Sequence, residues 1–231
     1  MNKKISSLLY ILVILACAYV LTACGFNNKK DNNTNKNEMA NNEAANQAPA
    51  EPTEVHESKI DFKDKNSYYF VINGQKYSTD NTLKDIENSG FVQDANIAQS
   101  DIQKGGYSLN GGTFKDATTG NTIFSVIPVN NTDGTIKCAD ANIGGFCLDE
   151  YYYKDYPDKI EVNEGITIGS TVDELISIFG DPTEKDMRDG YDNLGILYKY
   201  KVGMFQYFEF EIDKSTNKIK VISWRFFQNQ Q

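Results

Sequence analysis

Beyond residue 58 of this 231-residue chain, two cysteines, two glutamates and one acidic loop are the residues whose types and spacing could do chemistry. Cys138 and Cys147 flank a short stretch that contains Gly144-Gly145. On an exported chain an even pair of cysteines reads as a disulfide, with two free thiols or a redox pair as alternatives. A loop of about ten residues closed in this way would gain roughly 2–3 kcal/mol. The pair lacks C-x-x-C spacing, and it lacks the further ligands of a structural metal site. Glu209 and Glu211 alternate along a strand pattern and so share a face. Two such carboxylates could cleave a glycoside if their pKa values were pushed apart, but alternating surface glutamates on a wet strand are far commoner. The run Asp186-Met-Arg-Asp189-Gly190-Tyr-Asp192-Asn193 lacks the D-x-D-x-D-G spacing and terminal glutamate of a calcium loop, so it reads as solvated.

The composition narrows the chemistry further. The formal charge is −9 and the single histidine is His56. Acid excess argues against a nucleic-acid partner, because neutralising phosphates needs surplus lysine and arginine. His56 falls in a polar linker, which leaves the folded part without histidine acid–base chemistry, histidine-activated nucleophiles or histidine metal sites. No G-x-S-x-G, S-x-x-K or P-loop occurs. The expectation is a protein that is not an enzyme and holds no cofactor or metal. The remaining signal is aromatic. Tyr151-Tyr152-Tyr153, Tyr156, Tyr198, Tyr200, Tyr207 and Trp224 are more than one core can face. Tyrosine and tryptophan on an open sheet face make good anchors, since they bury much area at little entropic cost. An acid-rimmed binding face is therefore expected at Tyr198, Tyr200, Tyr207, Glu209 and Trp224, with a protein or cell-wall glycan as partner.

Strand signals dominate the elements that must position these residues. Tyr68–Ile72 ends at the turn pair Asn73-Gly74, and Thr122–Val129 is a second run. Ile196–Val202, Gln206–Ile212 and Lys218–Phe226 follow, the last two flanking a hairpin loop at 213–217. Phe208, Phe210 and Ile212 alternate with Tyr207, Glu209 and Glu211, the pattern of a sheet with one buried face. Gly105-Gly106 and Gly111-Gly112 read as turns. Thr171-Val-Asp-Glu174 is a capping box, and Val172, Leu175, Ile176 and Phe179 form one apolar helical stripe that stops at Gly180. Thr82-Leu-Lys-Asp-Ile86, ending at Ser89-Gly90, repeats that plan upstream. Two related halves are thus expected at 59–150 and 151–231, each a helical layer on an antiparallel sheet.

Residues 1–23 carry Lys3 and Lys4 and then an uncharged apolar stretch from Leu8 to Leu21, right for a signal-peptide core and short for a bilayer span. Cys17 within it is a small hydrophobe. Leu21-Thr22-Ala23-Cys24 resembles the bacterial lipobox, which directs lipoprotein processing. The resemblance implies cleavage before Cys24 and a thioether-linked diacylglycerol on it, and two acyl chains give stable anchoring. An uncleaved N-terminal transmembrane helix is the alternative. Residues 25–58 contain nine asparagines and no Leu, Ile, Trp or Tyr. Such a segment cannot offset its chain entropy by burial and is expected to be a disordered tether over 24–58, with a mean reach of roughly 30 Å.

The segment 165–182, through Gly165, Val172, Leu175, Phe179, Gly180 and Pro182, resembles a motif of the small outer-membrane-assembly lipoproteins of the SmpA/OmlA (BamE-like) family. The tandem β-lactamase-inhibitor-protein-like (BLIP-like) fold shares that architecture. The resemblance implies an α+β fold with helices packed on antiparallel sheet, and a role in binding other proteins. The whole chain reads as a surface lipoprotein on the extracytoplasmic face of the cell membrane, held by diacylglycerol on Cys24, more in keeping with a Gram-positive source. A carboxylate-dependent envelope hydrolase and a solute-capture lipoprotein of a transporter are the other readings.

Overall fold

Along Gln206–Asp213, Phe208, Phe210 and Ile212 are buried while Tyr207, Glu209 and Glu211 lie half-exposed, and this alternation organises the fold. The computed structural model describes residues 55–109, 111–188 and 195–227. The leader, Cys24, the linker up to residue 54 and residues 189–193 of the acidic loop lie outside the described residues.

Thirteen strands are described: β1 (Tyr69–Ile72), β2 (Gln75–Ser78), β3 (Phe91–Gln93), β4 (Asp101–Ile102), β5 (Thr113–Asp116), β6 (Thr122–Val129), β7 (Ile136–Lys137), β8 (Asn142–Asp149), β9 (Ile160–Val162), β10 (Glu184–Arg188), β11 (Gly195–Gly203), β12 (Gln206–Asp213) and β13 (Lys218–Phe226). The helices are short: α1 (Leu83–Glu87), α2 (Ala95–Ala98), α3 (Glu150–Tyr153) and α4 (Val172–Phe179). Eight strands form one antiparallel sheet in the order β10-β11-β12-β13-β8-β6-β5-β3. A three-stranded sheet, β2-β1-β9, covers its inner face, and β4 pairs with β7 separately. Rings join the two layers: Phe70 stacks on Phe146 at 4.3 Å and Tyr68 on Phe208 at 4.7 Å between centroids. Leu83 and Ile86 of α1 and Val172, Leu175 and Phe179 of α4 enter the same core.

This corrects the expected fold class. Among the described residues 44% are strand and 16% helix, and the cover on the large sheet is led by strands rather than by helices. The expected α+β arrangement of two tandem BLIP/BamE-like halves does not form. Three of the four helices among the described residues are only four or five residues long, too short to bury a layer. The sheet also runs without a break across the expected boundary at 150/151. There β13 pairs with β8 from Val221↔Asp149 to Arg225↔Gly145, while β1 pairs with β9.

The expected local signals are present. Thr171 N donates to Glu174 Oε2 at 2.7 Å, Glu174 N donates to Thr171 Oγ1 at 3.2 Å, and α4 ends at Gly180 with φ +72°. Thr82 N donates to Asp85 Oδ2 at 2.8 Å at the start of α1. Less expected is β8, which contains Gly144-Gly145 yet lies at the centre of the sheet. A Cβ on Gly144 would come 2.6 Å from the Phe227 ring, and one on Gly145 would come 3.0 Å from both Ile127 and Trp224 O. Only glycine permits that close approach.

Candidate functional site

The register of the large sheet sorts the expected binding residues onto opposite faces. Tyr198 lies opposite Phe210, Tyr200 opposite Phe208, and Trp224 opposite Phe208 on its other side. All three point inward with those phenylalanines. Trp224 is fully buried and Tyr200 is 1% exposed. The Tyr200 hydroxyl donates to Gly180 O at 3.0 Å, and burial pushes its pKa up. The expectation that Tyr198, Tyr200, Tyr207, Glu209 and Trp224 share a binding face is therefore corrected: only Tyr207 and Glu209 reach the outer face. There the Arg225 guanidinium lies over the Tyr207 ring at 5.6 Å, and burial raises the Tyr207 phenol.

The outer face carries a polar row, Lys199–Glu209–Ser223–Cys147–Ser125, across β11, β12, β13, β8 and β6. Lys199 Nζ donates to Asp186 Oδ2 at 2.6 Å, and that hydrogen bond raises its pKa. Glu211 is engaged by Lys220 at 2.9 Å, with both side chains mostly buried. Glu211 is thus held as a structural charge, while Glu209 lies across the strand pair from Lys199.

The expected Cys138–Cys147 disulfide is absent, because both thiols are free. Cys138 is buried in a 3-10 turn at Cys138–Asp140, where its Sγ donates to Gly111 O at 3.2 Å. Cys147 alternates with the inward-facing Phe146 and Leu148, so its side chain leaves the sheet on the outer face. Burial, reinforced by Asp149, pushes the Cys147 thiol up to about 11. At neutral pH it is a protonated, weak nucleophile. Burial raises Cys138 as well.

Exposed aromatic surface lies elsewhere, at the end of the sheet where β8 leads into α3. Tyr151 is 73% and Tyr152 50% exposed, and their rings meet edge to face at 5.0 Å. They line an open groove of about 730 Å³ with Lys115, Asp116, Lys154 and Pro157. Its opposite wall is the β5–β6 turn, 116–121. That turn is fixed by the Asp116 carboxylate, which accepts from Thr118 N at 3.0 Å and Thr119 N at 2.6 Å. The Thr119 bonds hold the Asp116 carboxyl below its usual range. On the floor side Tyr153 and Tyr156 are tied down. The Tyr153 hydroxyl donates to Asp158 O at 3.1 Å and accepts from Ile160 N at 3.1 Å. The Tyr156 hydroxyl donates to Asp158 Oδ2 at 3.3 Å, and burial first, then Asp158, raises its pKa to about 12. The four tyrosines of one sequence cluster thus divide into two that fix α3 and two that face solvent. The Asp116 turn carried no signal beyond its Thr-Thr-Gly-Asn composition.

Among the described residues no group of three or more His, Cys, Asp or Glu is placed to hold a metal ion, and no helix is long and apolar enough to cross a membrane. His56, read as a tether residue, is bound at the end of α4: its N donates to Asp181 Oδ2 at 3.1 Å and its O accepts from Asp181 N at 3.0 Å. Comparison with protein-family models, with curated proteins and with solved structures gives no match.

Proposed function

We propose that this chain is a membrane-anchored surface lipoprotein, diacylated at Cys24, whose folded part is a non-enzymatic binding module of the cell envelope. The observation that carries the reading is the pair of exposed rings, Tyr151 and Tyr152, beside a groove of about 730 Å³ with a pinned opposite wall. Exposed tyrosines next to preformed concave surface suit recognition, because their rings add contact area with little entropy to lose. Lysines, aspartates, threonines and the amide of Asn121 on the rim supply donors and acceptors of both signs. A segment of a partner protein or of a wall glycan has the matching elongated, polar-and-apolar chemistry.

The test places a photocrosslinking amino acid at Tyr152 in cells that export the chain. Crosslinks to a protein or to wall polymer are expected, and they should disappear in Tyr151→Ala. Purified wall polymer and membrane extract are then used to identify the captured class. Unchanged capture in Tyr151→Ala and in Lys154→Ala would remove the groove as the site. Lipidation is read separately, from the mass of the N-terminal peptide and from its loss in Cys24→Ala.

A further inference from the structure

The opposite end of the large sheet bears a second exposed patch. At the β11–β12 turn, Met204 is 74% exposed and Val202 also reaches solvent. Tyr107 and Leu109, on the segment that bridges to Val129, are 46% and 59% exposed. Tyr107 stacks on Phe227 at 5.0 Å, and Phe205 packs on Phe227 at 5.5 Å. Phe227 N in turn donates to Phe205 O at 3.0 Å. The two segments therefore form one apolar tip on a fixed aromatic base.

The described chain begins at this same end. Val55 is exposed, and the next residue, His56, is bonded to Asp181 through both backbone groups. Two residues on, Thr183 N donates to Lys199 O at 2.8 Å and Thr183 Oγ1 accepts from Lys201 N at 3.1 Å. Lys201 is exposed, and only about 10 Å of strand separates it from Met204. The 30 residues between Cys24 and Val55 therefore join the domain beside its apolar tip. The Tyr151–Tyr152 groove is at the far end, since Asp149 pairs with Val221 near the start of β13 while Phe226 pairs with Gln206 beside the tip.

We propose that Tyr107, Leu109, Val202 and Met204 dock into the surface of the bilayer that holds the Cys24 lipid. The proposal rests on the anchored-lipoprotein reading. The attachment point of the chain brings this end to the membrane, and exposed Met, Leu and Val side chains partition into the headgroup–acyl boundary, with Tyr107 at the level where amphipathic rings settle. Lys201 at the edge offers a cation to lipid phosphates.

The experiment uses the full chain, lipidated in a bacterial host and reconstituted in vesicles of phosphatidylglycerol and acyl-chain-brominated phosphatidylcholine. Bromine quenches only tryptophan at or within the bilayer, and the native Trp224 is fully buried in the protein core. Met204→Trp is expected to be quenched strongly, with the quenching reduced by adding Leu109→Glu. Lys214→Trp, at the β12–β13 turn about 30 Å away, is expected to show none. Equal quenching at both positions, or none at position 204 in protein that floats with the vesicles, overturns the docked tip and leaves the anchor standing. Failure to float overturns the anchor and the bilayer as occupant together.

Discussion

A thiol at about 11 and an expected disulfide make opposite predictions for Cys147, and the residue-scale geometry favours the thiol. Cys147 lies on the outer face and Cys138 in the core beside Gly111 O, so joining them would require moving a central strand. The mass of the folded protein is expected to be the same with and without reductant. Iodoacetamide at pH 8 should leave Cys147 unmodified in the native state and alkylate it after denaturation; modification of native protein should rise only toward pH 11. The sign of the linkage follows. The folded pKa lies above the unfolded one, near 9, so this contribution to stability is complete below pH 9. It is lost as pH rises through about 11. Stability measured from pH 8 to pH 11 should fall, and Cys147→Ser should flatten the fall. A reductant-sensitive mass would restore the disulfide.

At the scale of elements, the strands are what the sequence makes plain. Charged residues alternate with apolar ones in β11, β12 and β13, and the apolar phase is the buried one. The same alternation held the answer for the expected binding face: Lys199 and Lys201 flank Tyr200, and Ser223 and Arg225 flank Trp224, which puts both aromatics inward. Position in the alternation, and not aromatic type, decides which face these rings take. The long α4 was legible because its capping box and glycine stop are local. The fold class was not, because it depends on partners distant in sequence, β8 with β13 and β1 with β9, which no local pattern names. β8 gave no strand signal because Gly144-Gly145 interrupts its apolar run, and the pair is required by the close approach of Phe227 and Trp224 O. Gly112 makes a related case. Its Gly-Gly composition reads as a turn, yet a Cβ placed on Gly112 would come 2.0 Å from Val126 O, and Val126 N donates to Gly112 O at 2.8 Å. Gly112→Ala must push the β6 backbone aside, at a cost of about 3 kcal/mol, the upper end of overpacking penalties. Gly134→Ala, with open space around it, should cost less than about 1 kcal/mol. Chemical denaturation of the two variants compares them directly, and equal midpoints would refute the close approach.

For the whole molecule, the two exposed patches lie at opposite ends of the sheet, about 25–30 Å apart along strands of eight or nine residues. One end receives the chain from Cys24 and carries the apolar tip; the other carries Tyr151 and Tyr152. A domain docked through the tip therefore holds its groove at a set height above the bilayer, whatever the length of the connecting segment. A domain that merely trails from its lipid has no such fixed height, because its distance follows the r.m.s. reach of the linker, which scales with the square root of its length. Deleting residues 29–46 separates the two cases. Energy transfer from a donor dye on the groove end, at Lys214→Cys in a Cys147→Ser background, to acceptor lipids measures the height. With the tip docked, the deletion is expected to leave the transfer efficiency unchanged, and Met204→Glu with Leu109→Glu should make it newly sensitive to linker length. Groove binding measured on the same vesicles should stay within about twofold throughout, since neither change touches α3 or the Asp116 turn. Transfer that increases on deletion in the unmodified tip would show that the linker alone sets the height.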